Sequence, residues 1–218
     1  MRLVFINPNS TQAMTDAVTA VARRALPEAD ITGLTNCGAP EAIEGAADGV
    51  LALPGVLSLV RQAREADAIV IACFDDTGLS EARDVSDCPV LGIGQASYLM
   101  AKIMGRRFSV VTSVPVSLPV IRENIERSGF SGDCVSIRAS GLPVLEIDRG
   151  REETRARLAE EILRARDEDG AEAVILGCAG MAPLRADLAA RTGMVLIDGV
   201  AAAAVLAQAA HLAGRVAG

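Results

Sequence analysis

Two cysteines, Cys73 and Cys178, each close an apolar run of the same shape: Asp67-Ala68-Ile69-Val70-Ile71-Ala72-Cys73 and Glu172-Ala173-Val174-Ile175-Leu176-Gly177-Cys178. They stand 105 residues apart. The same offset carries Arg2–Ile6 onto Arg107–Val111, Val90-Leu91 onto Val195-Leu196, and Gly45 and Gly94 onto Gly150 and Gly199. A chain built twice from one unit is expected to fold as two similar lobes about a pseudo-twofold axis. Two thiols at equivalent strand ends then face each other across the cleft, an arrangement suited to chemistry on both faces of one carbon. One thiolate takes a proton from a carbon acid while the opposite thiol returns one to the other face. That is a two-base racemisation, and it needs neither metal nor organic cofactor.

A free thiol, with a pKa of about 8.5, costs roughly 2 kcal/mol to ionise at pH 7. Helix N-termini lower that cost through their amide N–H groups and the positive end of the dipole. Phe74-Asp75-Asp76-Thr77-Gly78-Leu79 after Cys73 and Ala179-Gly180-Met181-Ala182-Pro183-Leu184 after Cys178 both read as a turn opening a helix. Asp76 or Thr77 suits a cap there, and Pro183 suits a first turn. The competing reading of any cysteine is a small core hydrophobe. It holds for Cys37, Cys88 and Cys134, which meet Leu142, Gly193 and Ala29 at the same offset. No C-x-x-C spacing occurs and His211 is the only histidine, so a zinc site has no ligand set of the usual kind. Gly92-Ile93-Gly94 lacks the third glycine of a dinucleotide loop.

The elements that must position these thiols follow from the hydropathy pattern. Eight β-branched runs, at 2–6, 31–35, 68–72, 90–93, 108–112, 134–138, 173–177 and 194–197, alternate with helical periodicities. Met14, Val18, Val21 and Ala25 mark one helix, capped by Ser10 or Thr11 and ended by Pro27. Pro54 is expected to open a second helix, carrying Leu57 and Val60. Leu158, Ile162 and Ala165 mark another, stopping before Gly170. The fold class is therefore α/β, with two pseudo-symmetric lobes, each a four-stranded parallel sheet flanked by helices. Ligands collect beyond the carboxyl ends of such strands, where both cysteines lie.

Bulk properties narrow the function classes. With 50% hydrophobic and 22% charged residues among 218, the chain supports a packed core. A net charge of −7, no Trp and one Tyr make nucleic acid and anionic membranes poor partners. The expected partners are a small-molecule substrate and further copies of the chain in a homo-oligomer. Neither a signal peptide nor a transmembrane run is apparent, and five cysteines without framework spacing argue against a disulfide scaffold. A reduced, cytoplasmic protein is the expectation.

Four ordered motifs give the chain a resemblance: Ile6-Asn7-Pro8-Asn9-Ser10, Pro40-Glu41-Ala42-Ile43-Glu44-Gly45, Ala72–Leu79 and Gly177-Cys178-Ala179-Gly180-Met181. Together they resemble the aspartate/glutamate/hydantoin racemase superfamily, and within it the hydantoin and allantoin racemases. The resemblance implies an inter-lobe active site, cofactor-independent 1,1-proton transfer, and Cys73 and Cys178 as its acid and base. It also implies that each lobe borrows the helix after the other lobe's last strand, dividing the chain into 1–97 plus 198–218 and 98–197. Substrate contacts are expected from Asn9, Gly45, Phe74, Asp75, Asp76, Thr77, Thr112, Ser113, Ala179 and Gly180, with no metal. Glutamate racemases carry Asn-Thr and Thr-His after their cysteines, where this chain has Phe74-Asp75 and Ala179-Gly180. A flat cyclic ureide, a 5-substituted hydantoin or allantoin, is therefore the leading substrate. An acidic amino acid, a maleate-type isomerisation and a non-catalytic ligand sensor stay open as alternatives.

Overall fold

The computed structural model describes residues 1–216. The first half runs β1 (Arg2–Asn7), α1 (Gln12–Ala25), β2 (Asp30–Thr35), α2 (Ala46–Gln62), β3 (Ala68–Ile71), α3 (Leu79–Val85), β4 (Val90–Gly92) and α4 (Ile93–Ile103). The second runs β5 (Phe108–Thr112), α5 (Leu118–Arg127), β6 (Cys134–Ala139), α6 (Val144–Arg149), α7 (Glu152–Asp167), β7 (Ala173–Gly177), α8 (Arg185–Thr192), β8 (Leu196–Asp198) and α9 (Gly199–Val216). Short 3-10 turns, Pro115–Ser117 and Ala179–Leu184, precede α5 and α8. The strands form two parallel sheets with matching orders, β2-β1-β3-β4 and β6-β5-β7-β8. The eight expected strands all form in two sets of four. The last begins later than its β-branched run, at Leu196, and Ile93 opens α4 instead of ending β4.

Both faces of each sheet are covered, as apolar parallel strands require. Ile6, Ile69 and Ile71 pack on Val56 and Val60 of α2, while Val111, Val174 and Leu176 pack on Leu158 and Ile162 of α7. The opposite faces exchange helices. Phe5 and Val70 of the first sheet lie under Val200, Ala203 and Ala207 of α9. Val110, Ile175 and Ile197 of the second sheet lie with Tyr98 and Ala101 of α4. Burying each such aliphatic side chain is worth about 1.5–3 kcal/mol, so the exchange ties the halves together. The expected boundary between Ser97 and Tyr98 falls inside α4, and residues 217 and 218 of the expected first lobe lie outside the described residues.

Several local expectations are corrected. Pro54 lies inside α2, which starts two turns earlier, after Gly45 at φ 94°. Asn36 Nδ2 donates to the Ala52 carbonyl of the same helix at 2.9 Å and to Pro8 O at 3.1 Å, tying α2 to the end of β1. Thr11 stands before α1 but makes no side-chain cap bond; its hydroxyl donates to Glu41 O at 2.7 Å. Neither Asp76 nor Thr77 caps α3, which Gly78 precedes in the left-handed conformation. Pro183 lies within the 3-10 turn and not in its first residues. Cys37 is exposed, so it is no core residue. Among the described residues no helix is long and apolar enough to cross a membrane.

The exchanged helices pack tightly at Gly199, where a Cβ would stand 2.5 Å from the Ile93 carbonyl oxygen and 2.6 Å from Ser97 Oγ. Gly199→Ala is therefore expected to destabilise the fold by about 1–3 kcal/mol through overpacking. Gly38, with nothing within 4 Å of a built Cβ, serves as control. Urea melts should show a clearly lowered midpoint for Gly199→Ala and none for Gly38→Ala.

Candidate active site

The carboxyl ends of the two central strands place the thiols. Cys73 follows β3 by one residue, and Cys178 directly follows β7. Gly177 must be small, because a Cβ would stand 2.8 Å from Val110 Cγ1 and 2.9 Å from Thr112 Cβ. Thr112 Oγ1 donates to Gly177 O at 2.7 Å and so fixes the peptide that leads into Cys178. Cys178 caps the 3-10 turn Ala179–Leu184, whereas Cys73 stands five residues before Gly78 and α3. The expectation that both thiols sit alike at helix openings holds only for Cys178.

Both cysteines line one cavity of about 30 Å³ between the lobes. Asn9, Phe74, Asp75, Thr112, Ser113, Ala179 and Gly180, all anticipated, line it too. Gly45, Asp76 and Thr77 instead line an adjoining cavity of about 570 Å³, with Asp75 common to the two. Asn7, Met14, Ile43, Ser117 and Val144 line the smaller cavity without having been anticipated. Asn7 was discoverable, since it ends β1 and meets Thr112 at the 105-residue offset. Met14 was read only as a core position of α1. The lobes are also joined at the rim, where Val144 N donates to Glu44 Oε1 at 2.7 Å and Asn124 Nδ2 donates to Asp75 O at 2.8 Å.

The Asn7-Pro8-Asn9 turn is internally bonded. Asn9 Oδ1 accepts from Asn7 Nδ2 at 2.8 Å and from Thr11 N at 2.9 Å. Asn9 Nδ2 reaches Met14 Sδ at 3.2 Å. Asn9 thus serves the turn while also lining the cavity.

Electrostatics dominate the thiols. Burial pushes the Cys178 thiol up to about 12, outweighing the Gly180 amide that bonds its sulfur; the Asp75, Asp148 and Glu44 carboxylates push the same way. Burial likewise raises Cys73, and the Asp75 carboxylate adds to it, against the Thr77 hydroxyl and the Asp75 amide. Asp75 Oδ2 is buried without a hydrogen-bond partner. Burial also lifts Asp75 to about 7, against the Gly45 amide. The helix-opening effect anticipated for the thiols is therefore overridden by desolvation. Among the described residues no lysine, arginine or histidine lines the cysteine cavity. His211 is partly buried on α9, near enough to Asp67 to help lower its carboxyl, behind the Arg2 amide that does most. Among the described residues no group of three or more His, Cys, Asp or Glu is placed to hold a metal.

This arrangement has known counterparts. The family described as Asp/Glu/Hydantoin racemase matches residues 3–207. A hydantoin racemase of Rhizobium meliloti is 42% identical over 98% of this chain and 90% of its own. The solved allantoin racemase from Klebsiella pneumoniae superposes with a TM-score of 0.93 at 37% identity, covering 98% of this chain and 89% of that one. A glutamate racemase from Francisella tularensis, at 17% identity and TM-score 0.71 over 98% of this chain and 82% of that one, shares the fold. With two pseudo-symmetric parallel sheets and a family match spanning both of them, the chain belongs to the Asp/Glu/hydantoin racemase family and is an isomerase.

Proposed function

We propose that the chain racemises a 5-substituted hydantoin or a related cyclic ureide such as allantoin, by two-base proton transfer between Cys73 and Cys178 and without a cofactor. The observation that carries this reading is the cavity lining: two thiols, one from each lobe, among amides and hydroxyls and with no cationic side chain among the described residues. An acidic amino acid would bring a carboxylate that wants such a cation. A neutral ureide ring needs only the hydrogen bonds that amides and Ser113 or Ser117 supply. The similarity to a hydantoin racemase and an allantoin racemase supports the same class.

In the forward step one sulfur, as thiolate, takes the hydrogen from the ring carbon between carbonyl and nitrogen. The electron pair left behind delocalises onto the adjacent carbonyl oxygen. The opposite thiol then delivers its proton to the other face and becomes the thiolate. The pair ends with its proton on the other sulfur, ready for the reverse reaction. A cavity of about 30 Å³ is far below the roughly 300–1,000 Å³ of ordinary ligand sites, so the walls must part to admit a ring. Closing on it excludes water from the carbanion.

Each enantiomer loses its proton to a different sulfur. Cys73→Ser and Cys178→Ser should each abolish racemisation almost completely, because a serine hydroxyl is far too weak an acid to supply the resting anion. In deuterium oxide each variant should still exchange the α-proton of one enantiomer, and the two variants should choose opposite enantiomers. NMR of each enantiomer separately reads this directly. Near wild-type racemisation by both would sink the two-base scheme.

Asp75 makes the pH dependence specific. Below about pH 7 its carboxyl is neutral; above that its charge opposes both thiolates. Asp75→Asn removes that charge, so its kcat/KM should match wild type in shape below pH 7 and rise more steeply above it. Superimposable pH profiles would show that Asp75 does not tune the thiols.

A further inference from the structure

Helix α4 starts after Gly92, which has no side chain to bond the first-turn amides. Those amides are met from the Cys73 turn. Asp76 Oδ1 accepts from Gly94 N at 2.9 Å, and Oδ2 accepts from Gln95 N at 2.8 Å. Asp76 holds φ 49°, the only positive φ of a non-glycine residue among those described. That conformation is disfavoured for residues with a Cβ, least so for Asp and Asn. The facing glycines leave the carboxylate its space. A side chain at Gly92 would sit on Asp76 Oδ1, and one at Gly94 would stand 2.5 Å from Phe74 O and 2.8 Å from Asp76 Oδ2.

The neighbours of Asp76 are held from the same side. The Phe74 ring meets Tyr98 of α4 edge-on at 5.9 Å, and Tyr98 stacks on Phe108 of β5 at 5.9 Å. Asn124 of α5 holds the Asp75 carbonyl. Residues 74, 75 and 76 leave a strand of the first sheet, yet each is anchored to an element packed on the second. The other half has no equivalent. α9 is capped by Asp198, the residue just before it, whose Oδ1 accepts from Val200 N at 2.9 Å, and Met181 stands where the offset puts Asp76.

We propose that Asp76 is a positioning residue for the reaction: by locking the Cys73 turn onto the N-terminus of α4, it sets where the Cys73 sulfur stands across the cavity from Cys178. This rests on the two-base reading above.

The test uses Asp76→Ala, Asp76→Asn and Asp76→Gly beside Cys73→Ser and Cys178→Ser, with each enantiomer of a 5-substituted hydantoin in deuterium oxide. Circular dichroism confirms folding. Asp76→Ala should slow inversion in kcat by about ten- to a hundredfold, the scale of an ångström's misplacement of a catalytic group. It should slow α-proton exchange far less for the enantiomer that Cys73→Ser still exchanges than for the other. Asp76→Gly relieves the strained φ but supplies no acceptor, so it should behave like Ala. Asp76→Asn tolerates that φ and keeps one acceptor, so it should recover part of the rate with the same bias; it carries the test if Ala does not fold. Equal loss of exchange for both enantiomers, a bias matching Cys178→Ser, or wild-type rates in Asp76→Gly would overturn the proposal. Normal racemisation by Cys73→Ser would instead overturn the two-base reading, so the two failures are distinguishable.

Discussion

The tight packing of α9 on α4 at Gly199 is the contact on which the rest depends. Each helix leaves the last strand of its own half and covers the sheet of the other, so the two sheets cannot be oriented independently. The carboxyl ends of β3 and β7 are held toward a common space as a consequence. Nothing local to either cysteine could achieve this. The juxtaposition comes from about two helices' worth of exchanged apolar surface, and apolar burial is the term large enough to enforce it.

Having brought two thiols together, the fold leaves them in a poor place to ionise. The cavity is small, the one charged group among its described lining residues is a carboxylate, and the amides that face the sulfurs do not compensate. Such a site disfavours a standing negative charge and so also disfavours an anionic substrate. It is compatible with the neutral ring proposed above, whose acidity arises from its own carbonyl.

The two halves are alike in topology and unlike at their thiols. Cys178 is the N-cap of a 3-10 turn that runs straight into α8, with Gly180 offering its amide to the sulfur. Cys73 sits on a turn whose next three residues are tied to α4 and α5. The Asp76 link was hidden from sequence reading because it is non-local: a helix cap normally comes from the residue just before the helix, and here it comes from 18 residues upstream of Gly94. Gly92-Ile93-Gly94 was weighed only as an incomplete nucleotide loop, although its glycines exist to clear that carboxylate. Pro54 misled because it lies inside α2 and does not open it.

Sequence by itself determined the doubling, the strand runs and the identity of the paired cysteines. These are properties of apolar periodicity and of repetition at a constant offset, which survive translation into any compact form. The turn nature of Asn7-Pro8-Asn9 was equally legible, because its bonds are between near neighbours. Tertiary structure alone decided which cavity each residue lines: Asp75 both, Asp76 and Thr77 the larger, Asn7 and Met14 the smaller. It also decided the sign of the thiol shifts. A helix opening favours a thiolate and burial opposes it, and the winner depends on how completely distant segments exclude water, which no local pattern encodes.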